Sequence, residues 1–115
     1  MVRVDGDNRI YMTRGDSATF DIVPTFENQE YTPLASDKIV FTVKETYKSK
    51  EPVIEKVIPN DTLVLTLHPE DTKNLRAPAK YVYDVYIMSA SGAKDTFIPN
   101  AEFNLKENVG EWSIS

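Results

Sequence analysis

A chain of 115 residues, 41% of them hydrophobic and 27% charged, has the length and composition of one folded domain, which excludes wholesale disorder. Its formal net charge of −5, with no basic stripe, argues against nucleic acid or an anionic membrane surface as a partner. Because the chain has no cysteine, disulfide bonds, thiol catalysis and thiolate metal sites are excluded.

Short segments of strand-forming residues recur along the whole chain and are separated by turn residues. In chain order they are residues 9–13, 17–26, 38–44, 53–58, 62–67, 79–88, 95–98 and 101–105. The polar loop of residues 27–37 separates the second segment from the third, and Pro33-Leu34 is expected to fix this loop to the core. The predicted core takes apolar side chains from one face of these strands: Phe20, Ile22, Phe41, Val43, Leu65, Tyr83, Val85 and Phe103.

The segment Ala79–Met88 is the longest run of strand-forming residues and is predicted to be a central strand. Alternation divides its side chains between two faces, Tyr81, Tyr83, Val85 and Ile87 on one and Val82, Asp84, Tyr86 and Met88 on the other. Both faces are largely apolar, which predicts neighbouring strands on each side. Asp84 is the exception, and we expect it to accept hydrogen bonds from a nearby loop.

One helical turn is predicted just before the central strand, at Pro69–Thr72. Proline suits the first helical position, and the carboxylates of Glu70 and Asp71 interact favourably with the helix dipole. His68, the only histidine, is interpreted as a partial helix cap or a surface residue.

The start of the central strand indicates the architecture. A loop that ends at residues 77–80 and enters a strand at Tyr81 and Tyr83 resembles the tyrosine corner of immunoglobulin-like sandwiches. There the first tyrosine bonds back to the preceding loop, and the second position packs between the sheets. We therefore predict an all-β, immunoglobulin-like antiparallel β-sandwich of seven to eight short strands. It spans residues 1–109 as a single domain, followed by a short C-terminal tail at residues 110–115.

No set of residues predicts catalysis, a metal or a cofactor. The segment Asp5–Asn8 begins like a calcium loop, but Arg9 stands where a third oxygen ligand belongs. A hydrolase triad would depend on His68, and no Gly-x-Ser-x-Gly elbow accompanies it. The tripeptide Arg14-Gly15-Asp16 matches an integrin-recognition sequence, but glycine in a tight turn between two strands is the simpler explanation. The sequence therefore predicts a protein that is not an enzyme and binds no cofactor.

The order of these motifs is similar to a family from phages and prophages of Gram-positive bacteria, the N-terminal immunoglobulin-like domain of baseplate upper proteins and related small tail-associated proteins. The matching segments are residues 10–22, 37–44, 65–75 and 80–85. His68 replaces the usual hydroxyl cap, and Ala79 stands where a glycine commonly precedes Lys-Tyr. The resemblance implies a virion structural protein that acts through protein–protein contacts with other phage structural proteins or with itself. It also implies synthesis in the bacterial host cytoplasm, which agrees with the lack of a signal-peptide hydrophobic region, and then a place in the virion.

Two other functions stay open at this point. An extracellular adhesion or carbohydrate-binding β-sandwich would make use of Arg14-Gly15-Asp16 and of surface tyrosines. A small hydrolase is a more distant third reading.

The outer side of the central strand is the predicted interface. Val82, Tyr86 and Met88 form a continuous apolar stripe there, and tyrosine and methionine are enriched in protein–protein interfaces. The alternative is that Trp112, in the C-terminal tail, folds back over this stripe within one chain. The candidate interface residues are thus Val82, Tyr86, Met88 and Trp112.

Overall fold

The computed structural model describes residues 3–4, 8–22, 24–26, 29–30 and 32–107. Within these residues the chain forms ten strands and one short helix, α1, at Pro69–Thr72. The strands are β1 Arg3–Val4, β2 Ile10–Thr13, β3 Ala18–Asp21, β4 Thr25–Phe26, β5 Gln29–Glu30, β6 Lys38–Lys44, β7 Ile54–Ile58, β8 Val64–Leu67, β9 Ala79–Met88 and β10 Lys94–Lys106. In this part of the chain no helix is long and apolar enough to cross a membrane.

The strands form a sandwich-like, all-β fold, as predicted. Six strands make one large sheet in the order β1-β2-β10-β9-β6-β7, and β3 and β8 form a second, two-stranded sheet. β4 and β5 pair separately. The predicted central strand, β9, has the predicted bounds and lies between β10 and β6. The order β10-β9-β6-β7 opposite β3 and β8 matches the G, F, C and added C′ strands opposite B and E of immunoglobulin-like sandwiches.

The strand pairing differs from the prediction in two respects. β2 pairs with β10 in parallel, so the large sheet is mixed rather than purely antiparallel. β10 runs without a break through Pro99 and Asn100, where two strands were expected, because shifts of register between residues 96 and 101 absorb the irregularity.

The tyrosine corner is present at the start of β9. The Tyr81 hydroxyl donates a hydrogen bond to the Arg76 carbonyl oxygen at 2.7 Å, five residues back in the preceding loop. Tyr83 is buried, and its hydroxyl donates to the carbonyl oxygen of Asn8. Both tyrosines therefore have the roles that the sequence motif predicts.

The core lies between the two sheets and takes one face of each main strand. Seven of the eight predicted core residues are buried, and Ile22 is partly buried against the same cluster. Aromatic rings form its centre: the Phe41 ring centroid lies 5.3 Å from that of Tyr83 and 6.4 Å from that of Phe103.

The helix α1 closes the connection between β8 and β9 and confirms the predicted turn. The His68 backbone N–H donates to the Asp71 carboxylate at 2.7 Å, which fixes the start of the helix. The same carboxylate forms an ion pair with Lys56 on β7, at 3.0 Å. The His68 side chain is exposed at the N-cap position, as expected.

The loop before β6 is held differently from the prediction. Leu34 is 63% exposed, so Pro33-Leu34 does not fix the loop by burying an apolar side chain. Instead, the buried Asp37 accepts a hydrogen bond from the Leu34 N–H at 2.9 Å. The Asn60 side-chain amide donates to the carbonyl oxygens of Leu34, Ala35 and Asp37. Polar contacts thus replace the expected hydrophobic one.

Candidate functional site

The large sheet has an outer face, which is turned away from β3 and β8. Because partners in register point to the same side of a sheet, the pairing of β7, β6, β9 and β10 arranges the outer side chains in rows. The basic row contains Lys38, Met88 and Lys94; the apolar row contains Val57, Val40, Tyr86 and Thr96; the acidic row contains Glu55, Thr42 and Asp84; and the mixed row contains Lys44, Val82 and Glu102.

The apolar row is the hydrophobic centre of this surface. Val40 is only 3% exposed although it points outward, because it is flanked in register by Val57 and Tyr86. Val57 itself is 58% exposed, one of the few large hydrophobic side chains so exposed in the described residues. Tyr86 is half-buried. An aromatic and two valines across three strands form the kind of patch that marks an interaction surface.

Charges lie on both sides of this row and are segregated by sign. Lys38 and Lys94 are both exposed in the basic row, whereas Glu55 and Asp84 carry the acidic row. The Lys94 Nζ atom lies 4.3 Å from the centroid of the Tyr86 ring, so a cation–π contact holds its charge beside the apolar row.

Partial burial changes the acid–base properties of two groups on this face. Desolvation raises the pKa of Asp84, while Lys94 and Lys44 act in the opposite direction. Desolvation also raises the pKa of Tyr86, and the charges of Glu55 and Asp84 raise it further. No hydrogen bond from the described residues reaches the Asp84 carboxylate, so the expected bond from a nearby loop is not found in this part of the chain.

A depression of about 370 Å³ lies beside the acidic row. It is lined by Thr42, Lys44, Tyr47, Val82, Tyr83, Asp84 and Thr96. Tyr47 is 67% exposed, and the Lys48 Nζ atom lies 5.7 Å from its ring centroid. The depression could receive a polar side chain or a small hydroxylated ligand, because it joins an aromatic ring to a carboxylate and two hydroxyl groups.

Three of the four predicted interface residues lie together on the outer face. Val82, Tyr86 and Met88 are half-buried on consecutive rows of β9. Trp112 and the tail at residues 110–115 lie outside the described residues, as do Asp5 and its two neighbours in the considered calcium loop.

Sequence reasoning missed the residues that complete this surface, above all Val40, Val57 and Lys94. Each lies on a correctly predicted strand or at its edge, and alternation alone puts Val40 and Val57 on the outer side. The register between strands could not be predicted from the sequence, and it is this register that brings these side chains beside Tyr86.

The turn Arg14-Gly15-Asp16 lies between β2 and β3 and is tied to the body of the protein. Gly15 has a φ of +86°, which favours glycine, and its N–H donates to the Thr72 Oγ1 atom at 2.7 Å. The Arg14 guanidinium forms an ion pair with Glu107. An arginine held in this way supports the interpretation of the motif as a turn rather than as an adhesion loop.

A second concave region lies between the two sheets and has a volume of about 470 Å³. Its walls are mainly core side chains such as Ile10, Phe20 and Leu65, and the ionisable groups among its lining residues are Asp21 and Tyr83. These two groups do not make an acid–base pair with a nucleophile. Across the described residues, no group of three or more His, Asp or Glu side chains could hold a metal ion.

A scan against models of protein families and a search of curated proteins both give no match for this chain.

Proposed function

We propose that this protein is a non-enzymatic structural module of a phage or prophage tail or baseplate, and that it acts through protein–protein contacts made by its outer face. The observation that carries the proposal is the apolar row, in which the exposed Val57 and the half-buried Tyr86 flank Val40 across three strands. Charged rows lie on both sides of this patch, in the way that a polar rim surrounds the apolar centre of a protein–protein interface.

The resemblance to small tail-associated proteins supports assembly into a tail or baseplate as the function of this surface. The segments that carry it supply β2, β3, β6, most of β8, α1 and the first part of β9, which include strands of both sheets. Such a scaffold leaves function to its surfaces rather than to a pocket.

The test is to purify particles from an induced culture of the host and to quantify this chain in them by mass spectrometry. We expect a fixed ratio to known tail proteins, and flanking genes that encode tail or lysis proteins. The variant Tyr86→Ser with Met88→Lys should remain folded but be lost from the particles. A matched control, Thr19→Ser with Thr66→Lys, changes exposed residues of the small sheet and should be retained. Absence of the wild-type chain from particles would refute the proposal.

An adhesion or carbohydrate-binding sandwich is the second candidate, and one observation favours it. The depression beside the acidic row combines Tyr47 with Asp84 and the hydroxyls of Thr42 and Thr96, which suits a sugar's apolar face and hydroxyl groups. Titration calorimetry with a panel of bacterial wall saccharides tests it. Binding that is lost in Tyr47→Ala and kept in the exposed-residue control Leu34→Ala would favour this function over assembly.

A further inference from the structure

We propose that the outer face binds the outer face of a second copy of this chain, about a two-fold axis that lies along the apolar row. The inference rests on the proposed function, because it names the partner for the surface to which that function was assigned. It goes beyond it by fixing the symmetry and the orientation of the contact.

The order of the rows is what selects a second copy as the partner. Along the strands the order is basic, apolar, acidic, so the apolar row lies between rows of opposite sign. A two-fold axis along the apolar row turns the second face over and reverses the direction along the strands. The basic row of each copy then lies opposite the acidic row of the other, and the two apolar rows meet. The surface is complementary to itself in charge and in hydrophobicity.

The strand columns make the match more specific. Lys38 and Thr42 lie on β6, Glu55 lies on β7 and Asp84 lies on β9, at adjacent columns of the sheet. In the proposed contact, Lys38 of one copy therefore faces Thr42 of the other, between the carboxylates of Glu55 and Asp84. Rows of one face are separated by about 6.8 Å, adjacent strands by about 4.8 Å and packed sheets by about 10 Å, distances that long lysine side chains can span. The natural twist rotates the two sheets by about 30° relative to each other.

The same charges disfavour the other simple arrangement. A two-fold axis parallel to the strands would place the basic row opposite the basic row and the acidic row opposite the acidic row. Facing like charges repel each other and so select against this orientation. The charge order thus specifies one orientation of a symmetric dimer.

The proposed contact also supplies what the isolated face lacks. Asp84 is half-buried beside Thr42 and accepts no hydrogen bond from the described residues. Lys44 and Lys94 of the same copy already bring positive charge near this carboxylate, and Lys38 of a second copy would add a hydrogen-bond donor to it. The exposed Val57 would be removed from water at the same time.

The experiment uses charge-swap variants of the full chain in sedimentation velocity. In the first variant, Lys38→Glu and Lys94→Glu make both charged rows acidic; in the second, Glu55→Lys and Asp84→Lys make both basic. We expect the wild type to dimerise, with weaker association at high salt, and each variant alone to associate at least about tenfold less tightly. An equimolar mixture of the two variants should restore a dimer, because each mixed contact again pairs a basic row with an acidic row.

The control carries the same change of net charge at exposed lysines away from this face, Lys50→Glu with Lys73→Glu, and should dimerise like the wild type. Circular dichroism checks that every variant is folded. If Asp84→Lys prevents folding, the neutral pair Glu55→Gln with Asp84→Asn takes its place. We then expect this pair to self-associate more weakly than the wild type. The first variant should bind the neutral pair more tightly than it binds the wild type, because the repulsion between two acidic rows is removed.

Three results would overturn the inference: a wild type that is monomeric at every concentration, a dimer that survives both charge swaps, or two monomeric variants whose mixture stays monomeric. In the first case, dimerisation of the Trp112→Ser variant would identify the tail as the occupant of the face in the wild type. Particle incorporation is measured separately. A monomeric chain that is still found in particles would remove the second copy while leaving the proposed function intact.

Discussion

The two faces of β9 have similar sizes of side chain but different surroundings. On the inner face, Tyr81, Tyr83, Val85 and Ile87 are 0–5% exposed and pack against the second sheet. On the outer face, Val82, Asp84, Tyr86 and Met88 are all half-buried. The small sheet covers the inner side chains, whereas the outer side chains are shielded by their neighbours within the large sheet.

Burial therefore has two physical origins in this sheet. Phe41 and Val40 are adjacent on β6 and almost equally buried, but Phe41 is enclosed by aromatic rings from other strands and Val40 by the side chains beside it in its row. An enclosed side chain leaves a cavity when it is truncated. A side chain in an open row leaves a dent that water can enter. Truncation should therefore cost more stability on the inner face than on the outer face.

The largest effect is expected at the centre of the core. Phe41→Ala removes a ring that contacts Tyr83 and Phe103 and should lower the free energy of unfolding by about 3–5 kcal/mol. The matched outer variant Val57→Ala should change it by no more than about 0.5 kcal/mol, since Val57 is mostly exposed. Urea denaturation measures both. A loss below about 1 kcal/mol for Phe41→Ala would contradict the assigned facing.

The elements and their facing could be predicted because each depends on local sequence. Period-two alternation was sufficient for β6 and β9, whose bounds were predicted to the residue, and the proline before two carboxylates was sufficient for α1. The parallel pairing of β2 with β10 could not be predicted, since it joins segments from opposite ends of the chain. Continuity of β10 through Pro99 also depends on register shifts that no local pattern specifies.

The candidate site was only partly predictable for the same reason. Val82, Tyr86 and Met88 follow from alternation within one strand. The rows of opposite charge exist only once Lys38, Glu55 and Lys94 are brought beside that strand by long-range pairing. The prediction for Leu34 was wrong for a related reason. This apolar loop residue was expected to be buried, but hydrogen bonds from Asn60, which is distant in sequence, hold the loop instead.

A pair of valines tests the two origins of burial directly. Val85→Ala, on the inner face, should cost about 2–3 kcal/mol, because the methyl groups leave an enclosed space. Val40→Ala, on the outer face, should cost about 1 kcal/mol or less, the usual worth of cross-strand contacts. Thermal and urea unfolding should be measured at a dilution where the chain is monomeric. Equal losses at the two positions would show that a further layer covers Val40.

Two tyrosines on β9 allow a similar comparison for hydrogen bonding. Tyr81→Phe deletes the hydroxyl that donates to the Arg76 carbonyl oxygen and should cost about 1–2 kcal/mol, because a partly buried acceptor loses its partner. Tyr86→Phe should leave stability nearly unchanged, since its hydroxyl has no hydrogen-bond partner among the described residues and the ring contact with Lys94 is kept. Urea unfolding of both variants in the same buffer makes the comparison. A larger loss for Tyr86→Phe than for Tyr81→Phe would refute it.

The smallest effect is expected at Asp84 and depends on pH. Burial raises the pKa of this carboxyl in the folded state above its ordinary value of about 3.9, so the charged form destabilises the fold. Above the raised pKa the carboxylate is ionised in both states and its full desolvation cost applies, so Asp84→Asn should be more stable than the wild type at pH 7. As the pH falls through the raised pKa and then below about 3.9, protonation removes this cost from the wild type and the advantage of the variant should vanish. Urea unfolding between pH 3 and pH 8 at high dilution measures the difference, with Asp95→Asn as the exposed control on β10. An advantage that is constant with pH, or that grows as the pH falls, would show that solvation of this carboxylate is not its cause.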